Sequence, residues 1–201
     1  NFLDPACGCG NFLIIAYKHL RRLEIEILLI LKTGKDGKIQ TTLDIGSQLN
    51  VTVDQFHGIE IEDFPAKIAE TSLWLMEHKM NLELSEILGL YYKKLPLTSS
   101  ANIRLANSIQ INWNELKPKS EMQYVFGNPP FIGQSLQDPS QKTDLLSVNG
   151  AGNLDYAAAW FIKAAEYIQG TDIRVGFVST NSITQGQQVE PLWRILYEKF
   201  N

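Results

Sequence analysis

The stretch Asn1-Phe2-Leu3-Asp4-Pro5-Ala6-Cys7-Gly8-Cys9-Gly10-Asn11-Phe12 decides the fold. Apolar Phe2 and Leu3 run into a turn rich in Pro and Gly. Behind it, Leu13, Ala16, Tyr17, Leu20, Leu23, Ile27, Ile30 and Leu31 recur at intervals of three and four, the period of an amphipathic helix, with Asn11 placed to cap it. The segment therefore reads as strand, glycine turn, helix. So little of the strand precedes the turn that residues 1–201 are expected to be part of a longer protein.

Working outward, residues 32–54 are polar and carry Gly34, Gly37 and Gly46, which predicts a surface insertion. Residues 56–61 form a short apolar run ending at Glu60 and Glu62. Asp63 and Pro65 then suit the first turn of a helix, whose inward face is predicted as Ala69, Leu73, Met76 and Met80. Short strands are expected at 103–105 and 124–126, followed by a loop over 128–152, mobile across 132–152, and a helix carrying Leu154, Ala157, Ala158, Phe161, Ala165 and Ile168. Residues 173–178 read as a strand buried on both faces, and Leu192, Ile195, Leu196 and Phe200 mark a closing helix. Strands alternating with helices imply an α/β fold, a doubly wound, mostly parallel sheet covered on both faces. The chain is expected to end after the fifth strand and its helix.

Composition narrows the function classes. With 201 residues, 44% of them hydrophobic, a chain of this size buries roughly 70% of its unfolded surface and needs no staple. Disorder and a disulfide scaffold are excluded, since Cys7 and Cys9 are too close together to brace a fold. The longest apolar run is far short of the ~20 residues that span a bilayer, so no membrane partner is expected and a reducing cytoplasm is the simplest address. The 18 Lys and Arg against 22 Asp and Glu argue against wrapping nucleic acid by charge alone.

In a doubly wound sheet, ligands sit beyond the carboxyl ends of the strands, and three unusual segments fall there. In the turn at residues 4–10, Gly8 and Gly10 let the backbone approach a ligand, although a plain tight turn explains them too. A dinucleotide site is disfavoured: its third glycine would fall at Leu13, Asp4 would repel a pyrophosphate, and Glu60 lies well past the ~20-residue spacing of a ribose-binding acid. Glu60 ends its strand where a carboxylate accepts from two vicinal hydroxyls, with a solvated loop acid as the alternative. In Gly127-Asn128-Pro129-Pro130-Phe131, two prolines stiffen the turn. The Asn128 side-chain oxygen and the Pro129 carbonyl become fixed acceptors beside the Phe131 ring, a pattern suited to a planar group bearing NH2. Read alone, the segment is equally a turn with an aromatic anchor.

Together, DPACGCGNF at 4–12, GIEIE at 58–62, NIRLANS at 102–108 and GNPPF at 127–131 resemble the S-adenosylmethionine-dependent adenine-N6 DNA methyltransferases, in particular the large single-chain enzymes of type IIG restriction-modification and phage defence. The resemblance covers most of the chain. It implies a Rossmann-like class I methyltransferase sheet and a partial catalytic domain lacking its target-recognition region. By that likeness Asp4, Pro5, Ala6, Gly8 and Gly10 line the methionine end of S-adenosyl-L-methionine, Glu60 takes the ribose hydroxyls, and Ile61 packs on the adenine ring. Asn107, with Ser108, meets the cofactor's adenine amino group. Many members carry Asp at position 107, and an Asn there offers only its oxygen to that group. Asn128, Pro129, Pro130 and Phe131 then form the catalytic loop, holding an adenine that has rotated out of double-stranded DNA.

That chemistry needs no Cys or His nucleophile and no metal, and His19, His57 and His78 do not space like metal ligands. Asp155, Tyr156 and residues 179–182 are expected near the target pocket, or else to be ordinary helix-start and turn residues. Related Asn-Pro-Pro-aromatic motifs also serve methylation of RNA guanine N2 and of protein glutamine, and a non-catalytic DNA-binding module of the same fold is a further alternative.

Overall fold

β1 (Phe2–Asp4) lies between two parallel neighbours, β2 (Phe56–Glu60) on one side and β4 (Tyr124–Gly127) on the other. β3 (Asn102–Leu105) pairs with β2 and β5 (Arg174–Phe177) with β4, so the sheet order is β3-β2-β1-β4-β5 with all strands parallel. The computed structural model describes residues 1–33, 49–88, 101–148 and 150–200. Most of the insertion expected at 32–54 lies outside the described residues. Because all five strands point one way, their carboxyl ends share a rim, and the order reverses between β1 and β4.

Alternation along the strands builds two cores. Phe56 and the partly buried Phe2 and Phe126 face α1 (Asn11–Lys32) and α2 (Asp63–Leu88), with Leu13, Tyr17, Ala69, Leu73 and Met80 beneath those helices. Leu3, Ile59 and Val125 face the opposite layer. That layer contains one-turn α3 (Trp113–Leu116), α4 (Pro139–Ser147), α5 (Ala158–Tyr167) and α6 (Val189–Lys199). The Phe2 ring stacks on Phe56 at 4.8 Å and on Tyr124 at 5.3 Å, an aromatic row across the three central strands.

The parallel α/β architecture and the inward face of α2 agree with expectation. Four local details differ. Asn11 does not cap α1; Gly10 does, with a left-handed φ of 81°. The outer stripe of α1 is solvent-facing at Leu23, Ile27, Ile30 and Leu31, while Arg21 is buried instead, donating to Glu24 Oε2 at 2.7 Å and to Asn81 Oδ1 at 2.9 Å. β5 is not buried on both faces: among the described residues it pairs only with β4, and most of it is exposed. The 128–152 connection is not one mobile loop, because it contains α4, whose N-terminus is closed by Asp138 and Gln141 in a reciprocal capping box.

Candidate active site

The turn after β1 is tied down from three directions. Cys7 N–H donates to the Ile59 carbonyl at 3.0 Å, Gly8 N–H donates to Glu60 Oε2 at 2.9 Å, and the Trp160 indole of α5 donates to the Pro5 carbonyl at 3.0 Å. Gly10 is tight, since an added Cβ would lie 3.0 Å from Ala69 Cβ, whereas a Cβ on Gly8 would meet nothing within 4 Å. With φ at +53°, Gly8 presents bare backbone to open space, the arrangement a closely approaching ligand requires.

Two carboxylates flank this turn. Asp4 is only 1% exposed and accepts from Ala6 N–H at 3.0 Å through Oδ1. Burial pushes its pKa up to about 7, against the lowering effect of that N–H and with a smaller push from Glu60. Asp4 also presses on β4, for a Cβ on Gly127 would sit 2.4 Å from Asp4 Oδ1. Glu60 is held by backbone on both oxygens: Oε1 accepts from Ile61 and Glu62 N–H, each at 2.9 Å, and Oε2 accepts from Gly8. Ile61 is exposed beside it. Burial, with Asp4 and Glu60 nearby, pushes the Cys7 thiol up and keeps it protonated.

At the end of β3, Ala106 N–H donates to the Glu60 carbonyl at 2.8 Å, so the following loop leaves the sheet next to Glu60. Asn107 Oδ1 accepts from Ile109 N–H at 3.0 Å, and its Nδ2 donates to Asp144 at 2.9 Å. The Ser108 hydroxyl is buried with no hydrogen-bond partner among the described residues.

β4 ends two strands away from β2, about 10 Å along the rim at the usual strand spacing. Beyond it Asn128 and Pro130 are exposed, Pro129 is buried, and the Phe131 ring is half-exposed. The next residues are pinned to the entrance of α5. Tyr156 N–H donates to the Ile132 carbonyl at 2.9 Å, Gln134 N–H to Asp155 Oδ1 at 3.1 Å, and Gln188 Oε1 accepts from Asp155 N–H at 2.9 Å. A pocket of about 230 Å³ opens between Phe131, Asp155, Thr180, Ser182, Gln188 and Leu192. Its lining combines an aromatic wall with hydroxyl, amide and carboxylate groups.

The sequence profile of the MmeI DNA-methyltransferase domain matches residues 1–201. The chain belongs to the MmeI DNA-methyltransferase domain family. It is 47% identical over 207 residues to DNA methyltransferase A of Bacillus subtilis (strain 168), an alignment covering 98% of this chain and 22% of that protein. Among solved structures it is similar to the type IIL restriction-modification enzyme MmeI in complex with DNA, with TM-score 0.90 and 51% identity over 98% of this chain and 26% of that one. The modification subunit of a putative type I restriction enzyme from Vibrio vulnificus YJ016 shares the fold at TM-score 0.53 and 21% identity, covering 98% of this chain and 33% of that one. The chain thus spans only part of the length of the relatives it matches.

In this MmeI-family domain the rim collects Asp4, Pro5, Ala6, Gly8 and Gly10 with Glu60 and Ile61 and with Asn107 and Ser108, while Asn128 to Phe131 stand across the β1/β4 reversal. Asp155, Thr180 and Ser182 join Phe131 around the pocket. Sequence reading missed Gln188, which orients Asp155, and Asp144, which holds Asn107; both partnerships join distant segments and leave no local pattern. Among the described residues no group of three or more His, Cys, Asp and Glu side chains could hold a metal ion, and no helix is long and apolar enough to cross a membrane.

Proposed function

We propose that this chain transfers a methyl group from S-adenosyl-L-methionine to the exocyclic N6 of an adenine rotated out of double-stranded DNA, as the catalytic part of a restriction-modification protein. One observation carries the reading: a single rim joins a turn open at Gly8, flanked by Asp4 and Glu60, to a rigid Asn-Pro-Pro-Phe segment beside a pocket. The DNA seen with the solved MmeI enzyme supports the substrate class.

The residues present fit the donor. Asp4 is a buried carboxyl whose ionised form lacks a cation, Ser108 Oγ is an orphaned polar atom, and Gly8 leaves room where any side chain would intrude. Asp4, Ala6 and Gly8 would hold the methionine end, Glu60 the ribose, Ile61 one face of the adenine, and Asn107 with Ser108 its edge. When bound, S-adenosyl-L-methionine supplies an electrophilic methyl group on a sulfonium sulfur.

The chain's own contribution is orientation and electrostatics. The amino nitrogen of adenine is a poor nucleophile because its lone pair is delocalised into the ring. Asn128 Oδ1 and the Pro129 carbonyl would accept its two N–H groups, drawing the nitrogen toward a tetrahedral shape and aiming the freed lone pair. Phe131 stacks on the base, repaying part of the few kcal/mol needed to extract it from the duplex. The prolines keep both acceptors in place, so little reorganisation is needed on binding.

The test is to incubate the full-length gene product with tritiated donor and separate pools of DNA, RNA and protein. Label recovered from DNA as N6-methyladenine is expected; label confined to protein or RNA overturns the reading. Asn128→Ala should slow methyl transfer by about 10²- to 10³-fold, the usual cost of deleting one preorganised polar contact, while donor binding stays unchanged.

A further inference from the structure

Asp144 lies on α4, outside every sequence motif at the rim, and is buried. Its Oδ2 accepts from Asn107 Nδ2 at 2.9 Å and from the Tyr156 hydroxyl at 2.8 Å, and its Oδ1 accepts from Gln110 Nε2 at 2.7 Å. An ionised carboxylate only accepts, whereas an amide has one donating and one accepting end. Asn107 is therefore obliged to turn its NH2 toward Asp144 and its oxygen away. That oxygen already accepts from Ile109 N–H and keeps a second lone pair. Tyr156 extends the connection: its hydroxyl is fixed on Asp144 while its N–H holds the carbonyl of Ile132, the residue after Phe131.

We infer that Asp144 is a positioning residue that selects the orientation of the Asn107 amide at the base end of the donor and ties the loop after β3 to the Phe131 segment. The inference rests on the donor site proposed above. It makes Asn107 and Asp144 a matched pair in which exactly one member is a carboxylate. Asn107→Asp alone sets two carboxylates against each other in a partly buried site and turns the loop aside. Asn107→Asp with Asp144→Asn restores one donor facing one acceptor: the NH2 of residue 144 donates to residue 107 and to a Tyr156 hydroxyl turned to accept, and Gln110 still finds an oxygen on residue 144.

The experiment measures S-adenosylhomocysteine binding to the full-length gene product by titration calorimetry, with unfolding temperatures recorded in parallel. Asn107→Asp should bind at least about tenfold more weakly, the scale of one lost hydrogen bond to a charged group, and the double variant should return to within about threefold of wild type. A merely structural pair would lower the unfolding temperature but leave the affinity of the folded protein unmoved. Asn107→Asp binding as wild type does, or a double variant no better than Asn107→Asp, overturns the inference. Should Asn107→Asp fail to fold, Asp144→Ala, which removes the acceptor altogether, decides: affinity lowered by about threefold or more supports the inference, and wild-type affinity overturns it. Failure of the wild type itself to bind would instead defeat the donor site, and the inference with it.

Discussion

Asp4 and Glu60 end adjacent strands on the same rim, yet the protein treats the two carboxylates in opposite ways. Glu60 is largely matched by its own chain: three backbone N–H groups from two turns converge on it, leaving Oε2 one further lone pair for a ligand hydroxyl. Asp4 is buried, has one N–H, and is pushed up to about 7. One carboxylate organises the backbone, and the other is left short of a partner. The contrast teaches that acidity at this rim divides into scaffold and receptor, the receptor being the buried carboxyl with fewer donors from its own chain.

The largest expected effect comes from removing the receptor. Asp4→Asn keeps an oxygen for Ala6 N–H but deletes the charge, and donor affinity should fall by roughly 100-fold. Stability should move the other way. Between pH of about 4 and 7 the folded protein retains an Asp4 proton that the unfolded chain has released, so this group's contribution is full below that window and lost as pH rises through 7. Asp4→Asn should therefore match wild type in thermal unfolding near pH 4 and exceed it at pH 8, by up to about 4 kcal/mol. Donor affinity of the wild type should also drop about tenfold from pH 8 to pH 6 as Asp4 protonates. A flat profile in both measurements would erase the contrast.

Next in size is Gly127→Ala, which drives a methyl group against Asp4 Oδ1. The overpacking should cost about 1–3 kcal/mol and weaken donor binding with it, whereas the same change combined with Asp4→Ala should be milder than the single variants predict. The smallest effect sharpens the comparison. Glu60→Gln puts an amide NH2 against a backbone N–H and should lower stability by about 1 kcal/mol, with donor binding weaker by about tenfold. Removing a negative charge from this rim should thus stabilise at Asp4 and destabilise at Glu60. Two shifts of the same sign would show that scaffold and receptor are not distinct.

Much of this was legible in the residues. The glycine turn, Glu60 at a strand tip and the Asn-Pro-Pro-Phe segment each carry a local signature, and parallel alternation sends all three to one rim. What escaped was set by partners distant in sequence. Apolar periodicity marked Leu23, Ile27, Ile30 and Leu31 for the interior, but among the described residues α1 is covered on one side only, and Arg21 occupies the core because Glu24 and Asn81 accept from it. The β-branched composition of 173–178 implied burial, while exposure there is decided by how many strands lie beside β5. Asp138-Pro139 with Gln141 was a readable helix start hidden inside a Gln- and Gly-rich stretch. Asp144 had no readable signal, since its three donors belong to a strand-end loop and to the approach to α5.

The central position of β1 also bears on how the molecule is made. Phe2 pairs with Phe56 on one side and with Tyr124 on the other, so this strand has its two edges closed at widely separated times during synthesis. The half-sheet with β2 can form early, but the cleft has no second wall until β4 emerges, and Pro5 waits longer still for Trp160. Such long-range closure is slow. The rim is therefore incomplete until β4 emerges, and translation pauses before β4 would prolong an interval in which β1 offers a bare edge to neighbouring chains.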